Sequence, residues 1–158
     1  RGMSVVTCST IRNHPNAVSP RIKSLNYLNN ILGKIEGLDA DAPEAIMLNH
    51  EGFVAECTGD NLFIVKGNQL FTPPLSAGAL YGITRGVVLD LVRKSHLPLE
   101  EGFYPTGALE DAREIFLTST TKEILPVTVL DGKPVGDGKP GPVAQTLLVE
   151  FRRYLAGP

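Results

Sequence analysis

Apolar residues recur along this chain at two spacings, and the switch between them divides it into helices and strands. Leu25, Leu28, Ile31, Leu32 and Ile35 fall on steps of three and four, which predicts a helix with these side chains on one buried face and Gly37 as its stop. Ahead of it, Val5 to Ile11 predicts a strand, and Arg12-Asn13-His14-Pro15-Asn16 a loop of turn formers. From Ala45 the period falls to two: Ala45–Leu48, Phe53–Glu56, Asn61–Val65 and Leu70–Thr72 form a meander of short strands ended by Pro73-Pro74. Gly82-Ile83-Thr84-Arg85 opens a second helix carried by Val87, Val88, Leu91 and Val92. A short helical turn is expected at Ala108–Arg113 and a strand at Glu114–Leu117. Glu123 stands three places after Thr120, the capping-box spacing, and predicts a tight helical turn there. Ile124–Leu130 is extended, Asp131-Gly132 marks a hairpin, and a last helix runs from about 143 to 155. With no internal repeat or linker, residues 1–158 are expected to be a single domain of mixed α/β (α+β) class.

The totals narrow the function classes. The 158 residues are 42% apolar and 20% charged with a net charge of −2, values of a globular protein without the basic footprint of a nucleic-acid binder. No apolar run reaches the length that spans a bilayer, and the first residues turn polar too early for a signal peptide. Cys8 and Cys57 are far apart with no CxxC, which fits a reduced compartment, so a cytoplasmic location is expected. The strand pattern starts almost at the first residue, as it would in the later part of a longer protein.

Four stretches carry candidate chemistry. Lys23 precedes the first helix, with Asn26, Tyr27, Asn29 and Asn30 close behind; a lysine that does covalent chemistry must be held in place and partly enclosed. Glu56 closes an apolar strand, where a carboxylate is suited to pair with a protonated heterocycle. Gly82-Ile83-Thr84 offers backbone N–H groups and a hydroxyl at a helix start, a ready anion site. Thr118-Ser119-Thr120-Thr121 offers a second cluster of hydroxyls and amides after a strand. Taken singly, each has a plainer reading: a solvated lysine, a solvated carboxylate, a helix cap and an ordinary turn. Together they are what pyridoxal phosphate asks of a protein: an amine, a partner for the ring nitrogen and a phosphate cup. His14, His50 and His96 lack zinc-ligand spacing, and there is no GxSxG elbow. Gly132–Lys139 departs from a P-loop in the gap between its glycines and in Pro140, which stands where Ser or Thr should be.

The chain resembles the class IV (fold type IV) pyridoxal-phosphate aminotransferases, and among them most of all the branched-chain amino acid aminotransferases. The resemblance is carried by Ile22–Asn30, Ala55–Phe63, Gly82–Arg85, Leu117–Val127 and Gly136–Pro142, which cover nearly the whole chain in the family's order. It implies a short-strand, barrel-like mixed sheet with flanking helices. It also implies transamination of Leu, Ile or Val with 2-oxoglutarate, with amino acids and 2-oxo acids as the small-molecule partners. By the same resemblance Lys23 forms the aldimine and moves the proton, Glu56 pairs with the ring nitrogen, and Tyr27 touches the ring hydroxyl. Ile83, Thr84 and Thr120 would bind the phosphate, and the amides near Thr120 and Thr121 the substrate carboxylate. D-amino acid aminotransferases and aminodeoxychorismate lyases of the same fold are the alternatives, as is a non-catalytic fragment. Family members carry a smaller N-terminal domain that nothing here matches, so this is expected to be the cofactor-binding C-terminal domain, weak in cofactor retention and turnover by itself. The resemblance further implies a homodimer or larger homo-oligomer.

Overall fold

The strands are β1 (Met3–Thr7), β2 (Glu44–Leu48), β3 (Val54–Cys57), β4 (Asn61–Lys66), β5 (Gln69–Thr72), β6 (Leu99–Glu101), β7 (Glu114–Ser119), β8 (Glu123–Leu130) and β9 (Lys133–Pro134). The helices are α1 (Leu28–Asp39), α2 (Ile83–Ser95), α3 (Gly107–Glu110) and α4 (Pro142–Ala156). This is a computed structural model that describes residues 2–157. The strands pair in the order β3-β2-β1-β8-β7-β4-β5-β6, with β9 against β8, in one mixed sheet. The short link Thr58-Gly59-Asp60 joins β3, at one edge, to β4, which lies beyond β2, β1, β8 and β7. So short a link across four intervening strands requires the sheet to curl, and β3 closes toward β4 as a half-barrel.

Curling gives the sheet two covered faces. Leu62 and Ile64 of β4 point with Ile115 and Leu117 of β7 into the concave core, while Phe63, Val65 and Phe116 point the other way, as the strand period dictates. On that outer face they meet Val88 and Val92 of α2 and Leu147 and Phe151 of α4. Phe63 and Phe116 stack with ring centroids 5.0 Å apart. Burial on both faces is why Leu62–Val65 reads as an unbroken apolar run.

The helix α4 is seated by a carboxylate from the sheet. Glu114, buried at the start of β7, accepts the backbone N–H of Val143 (3.2 Å) and of Ala144 (3.0 Å), satisfying donors that a helix N-terminus leaves open. A Cβ at Gly141 would lie 2.0 Å from the Glu114 Cδ, so only glycine admits this approach. Glu114→Ala should lower the unfolding free energy by about 1–3 kcal/mol, the cost of leaving buried donors unmade, read as a lower urea midpoint with unchanged slope.

Several expectations are corrected. The first helix starts at Leu28 rather than near Leu25, and Gly37 lies inside it. Its buried residues are Asn30, Gly33 and Gly37, while Leu28, Ile31, Leu32, Ile35 and Leu38 are 47–66% exposed. The reason is close approach: a Cβ at Gly33 would stand 3.2 Å from the Cys8 Sγ, and one at Gly37 3.1 Å from the Ala42 carbonyl oxygen. The helix therefore meets the sheet through its small residues and turns its large apolar face outward. No helical turn forms at Thr120–Glu123; β7 and β8 are an antiparallel hairpin, with Ser119 opposite Glu123. β1 ends at Thr7 rather than Ile11, and β6 had no period-two signal. Asp131 and Gly132 both take positive φ (48° and 75°), the hairpin turn that their sequence predicts. Among the described residues, no helix is long and apolar enough to cross a membrane.

Candidate active site

Lys23, Tyr27, Glu56, Ile83, Thr84 and Thr120 all line one open pocket at the mouth of the half-barrel. These six residues come from four separate parts of the chain. Thr121, the remaining residue marked out by sequence, is exposed beside that lining, its hydroxyl 3.5 Å from that of Ser119.

Each wall has a structural cause. Lys23 lies in an irregular, exposed segment ahead of α1, not on the helix itself. Tyr27 is the residue immediately before α1; its hydroxyl donates to the Thr58 carbonyl (2.7 Å), which also accepts the Asn30 amide (2.7 Å). The start of α1 is thus pinned to the β3–β4 link. Burial, then the neighbouring Glu56 carboxylate, raise the Tyr27 hydroxyl above its ordinary pKa, so it is held as a donor.

Glu56 is the electrostatic centre. On β3 and 5% exposed, it accepts from the Arg12 guanidinium (2.6 Å), the Asn61 side-chain amide (2.9 Å) and the Leu80 backbone N–H (2.9 Å). Burial pushes its carboxyl up to about 7, against the pull of Arg12. A carboxylate so poised gains most from a positively charged partner in the pocket.

Gly82, the residue before α2, is extended (φ −74°, ψ 134°) and gives the helix no side-chain cap. The first N–H groups of α2 therefore lack a side-chain acceptor where Gly82, Ile83 and Thr84 line the pocket, the condition under which a helix start takes an anion. A Cβ on Gly82 would lie 2.0 Å from the Asn61 Oδ1; glycine here lets the helix start abut the amide that holds Glu56. Across from it, Thr118 lines the pocket, its buried hydroxyl without a partner among the described residues.

Arg12, Asn61 and Asp60 line the same pocket and were not singled out by sequence as site residues. Asn61 and Asp60 lie inside the Ala55–Phe63 stretch that carries the family resemblance. Arg12 sits 44 positions from Glu56 in a segment that reads only as a loop, and no local pattern marks it.

The family model for amino-transferase class IV matches residues 1–130. The chain is 41% identical over 152 residues to branched-chain-amino-acid aminotransferase-like protein 1 of Arabidopsis thaliana, covering 96% of this chain and 27% of that protein. It is 38% identical over 146 residues to D-alanine aminotransferase of Bacillus licheniformis, covering 92% and 50%. Among solved structures, the branched-chain amino acid aminotransferase from Thermobaculum terrenum in its PLP form superimposes with a TM-score of 0.94 at 34% identity, over 99% of this chain and 52% of that one. The chain thus spans about half or less of the length of these relatives.

Proposed function

The chain belongs to the class IV aminotransferase family, and from that premise we propose that it is the cofactor-holding part of a pyridoxal-phosphate-dependent enzyme that transaminates branched-chain L-amino acids with 2-oxoglutarate. The observation that carries this reading is the meeting of Lys23, the buried Glu56 and the open N-terminus of α2 around one pocket. The donor set fits the cofactor: a primary amine, a buried carboxylate poised near neutrality, uncapped helix amides and the unpartnered Thr118 hydroxyl.

When bound, pyridoxal phosphate supplies a ring that withdraws electrons from the substrate α-carbon. In this reading Lys23 is the catalytic residue: its amine holds the cofactor aldehyde between turnovers and carries the proton that leaves the α-carbon. Glu56 pairs with the ring nitrogen and keeps it charged. Tyr27 would contact the ring hydroxyl. The amides of Ile83 and Thr84, with the Thr84 and Thr120 hydroxyls, hold the phosphate. Backbone amides at Thr120 and Thr121 receive the substrate carboxylate. The outward apolar face of α1 and the openness of the pocket suit a chain that completes its site with the family's N-terminal domain and in a homodimer. A cytoplasmic setting matches two buried, unpaired cysteines.

The test is a half-reaction. Pyridoxal phosphate added to the protein should give the visible absorption of lysine-bound cofactor, and L-leucine should then discharge it. The resemblance to a D-alanine aminotransferase supports a second reading, D-amino acid transamination. Discharge by D-alanine alone would select that reading, and equal discharge by both would overturn the branched-chain assignment. Pyruvate released from aminodeoxychorismate without an acceptor 2-oxo acid would point to a lyase instead.

A further inference from the structure

Just behind the anion-accepting end of the pocket lies a buried ionic cluster to which the proposed chemistry gives no role. Lys122, on the turn after Thr118–Thr121, reaches back to donate to the Glu44 Oε2 (3.0 Å) and to the Asp60 Oδ2. Glu44, 1% exposed on β2, also accepts the Thr58 N–H (3.2 Å) and the Thr58 hydroxyl. Through its carbonyl, Thr58 in turn holds Tyr27 and Asn30. Lys34 adds a second cation at the rim, 3.4 Å from Glu44. Among the described residues, Lys122 is the one cation bonded to Asp60.

Asp60 is the revealing member. It is 3% exposed, lines the pocket, and its Oδ1 has no partner among the described residues. A bare carboxylate in the wall of a site that must take anions would repel them unless its charge were cancelled from behind. Lys122 stands where that cancellation is needed. It also ties the segment carrying Thr118 and Thr120 to the segment carrying Thr58 and Asn61, so one side chain joins the anion wall to the wall that holds Tyr27 and Glu56.

We propose that Lys122 is a positioning residue of this site: it clamps the Thr118–Thr121 segment against the Thr58–Asn61 segment and neutralises Asp60, so that the pocket can receive the anionic groups of its ligands. This rests on the function proposed above. It goes further in assigning to a residue outside the pocket lining the control of anion affinity.

The experiment compares Lys122→Met, Lys122→Arg and Lys122→Gln in the intact protein. Calorimetric titration with inorganic phosphate, and separately with 2-oxoglutarate, reads anion binding without any bound cofactor. Lys122→Met should weaken one or both by about tenfold, the loss expected of a charge-assisted contact. Lys122→Arg should restore binding to near the wild-type value. A loss for phosphate alone assigns the clamp to the cofactor's phosphate, and a loss for the 2-oxo acid alone to the substrate carboxylate. Where phosphate binding is lost, cofactor absorption adds a control: in Lys122→Met, pyridoxal phosphate should then bind more weakly while pyridoxal, which lacks the phosphate, binds as in the wild type. Unchanged binding of both anions, or equal weakening of pyridoxal and pyridoxal phosphate, overturns the proposal. Should Lys122→Met not fold, Lys122→Gln, which keeps a donor but not the charge, decides: weaker anion binding supports the role, and unchanged binding overturns it. Absence of lysine-bound absorption with both aldehydes in the wild type would instead count against the cofactor assignment, leaving the anion titrations to judge Lys122.

Discussion

Lys23→Ala should lower transamination by about four orders of magnitude, the upper range for loss of a positioned proton-transfer group, while leaving the fold intact. The two halves of this expectation have separate causes. Lys23 is exposed, in an irregular segment, and its side chain makes no hydrogen bond among the described residues, so its loss should change stability by no more than about 0.5 kcal/mol. Yet no other lysine among the described residues lines the pocket, so no neighbouring amine stands ready to replace it. The measurement is a pair: cofactor absorption together with the melting temperature. Lysine-bound absorption lost at an unchanged melting temperature is the expected result. An unaltered band, or turnover within tenfold of wild type, would place the reactive amine elsewhere.

Lys23, Glu56 and the Gly82-Ile83-Thr84 helix start were legible because each announces its chemistry locally: an amine, a carboxylate on an apolar strand, amides at a helix start. The strands β2 to β5 and β7 were legible for a similar reason, since burial on a curled sheet leaves a period-two or unbroken apolar trace. The orientation of α1 was not. Its periodicity marks an apolar face correctly, but which face meets the sheet was decided by Gly33 and Gly37, whose lack of a side chain lets the backbone approach Cys8 and Ala42. Period alone carries no information on how closely a helix can approach. The Thr120–Glu123 spacing failed because β7 and β8 pair as a hairpin across the turn, and a ladder of five paired positions outweighs a single local cap. Arg12 and Lys122 escaped notice for the same physical reason as each other. Their partners lie 44 and up to 78 positions away, and an ion pair made only by the fold leaves no mark on the sequence around either member.

Arg12 therefore supplies the second large effect, this one on stability. The Arg12–Glu56 pair is buried, 2.6 Å apart, with side chains 6% and 7% exposed. Removing one partner of such a pair strands the other, at a cost of about 3–5 kcal/mol, and Arg12→Met should show that loss in urea unfolding. Its pH dependence identifies the cause. In the wild type the folded-state pKa of Glu56 is raised by burial from the ordinary 4.5 to about 7, so the folded protein binds a proton there more tightly than the unfolded chain does. Glu56's contribution to stability is then fully present below pH 4.5 and is lost as the pH rises through about 7. Without Arg12 the carboxyl holds its proton to still higher pH, so the variant's deficit should be larger in mildly alkaline than in mildly acidic buffer. In Arg12→Met/Glu56→Gln the stranded charge is gone, and much of the deficit and its pH dependence should vanish, a coupling that only a direct pair produces. Under the role proposed for Glu56, activity should not return with stability, because the glutamine amide cannot carry the negative charge that a ring nitrogen would need there. A deficit equal at both pH values, or a double variant no more stable than Arg12→Met, would mean that Arg12 serves the fold through Gly78, whose carbonyl accepts its Nε at 3.3 Å, rather than through Glu56.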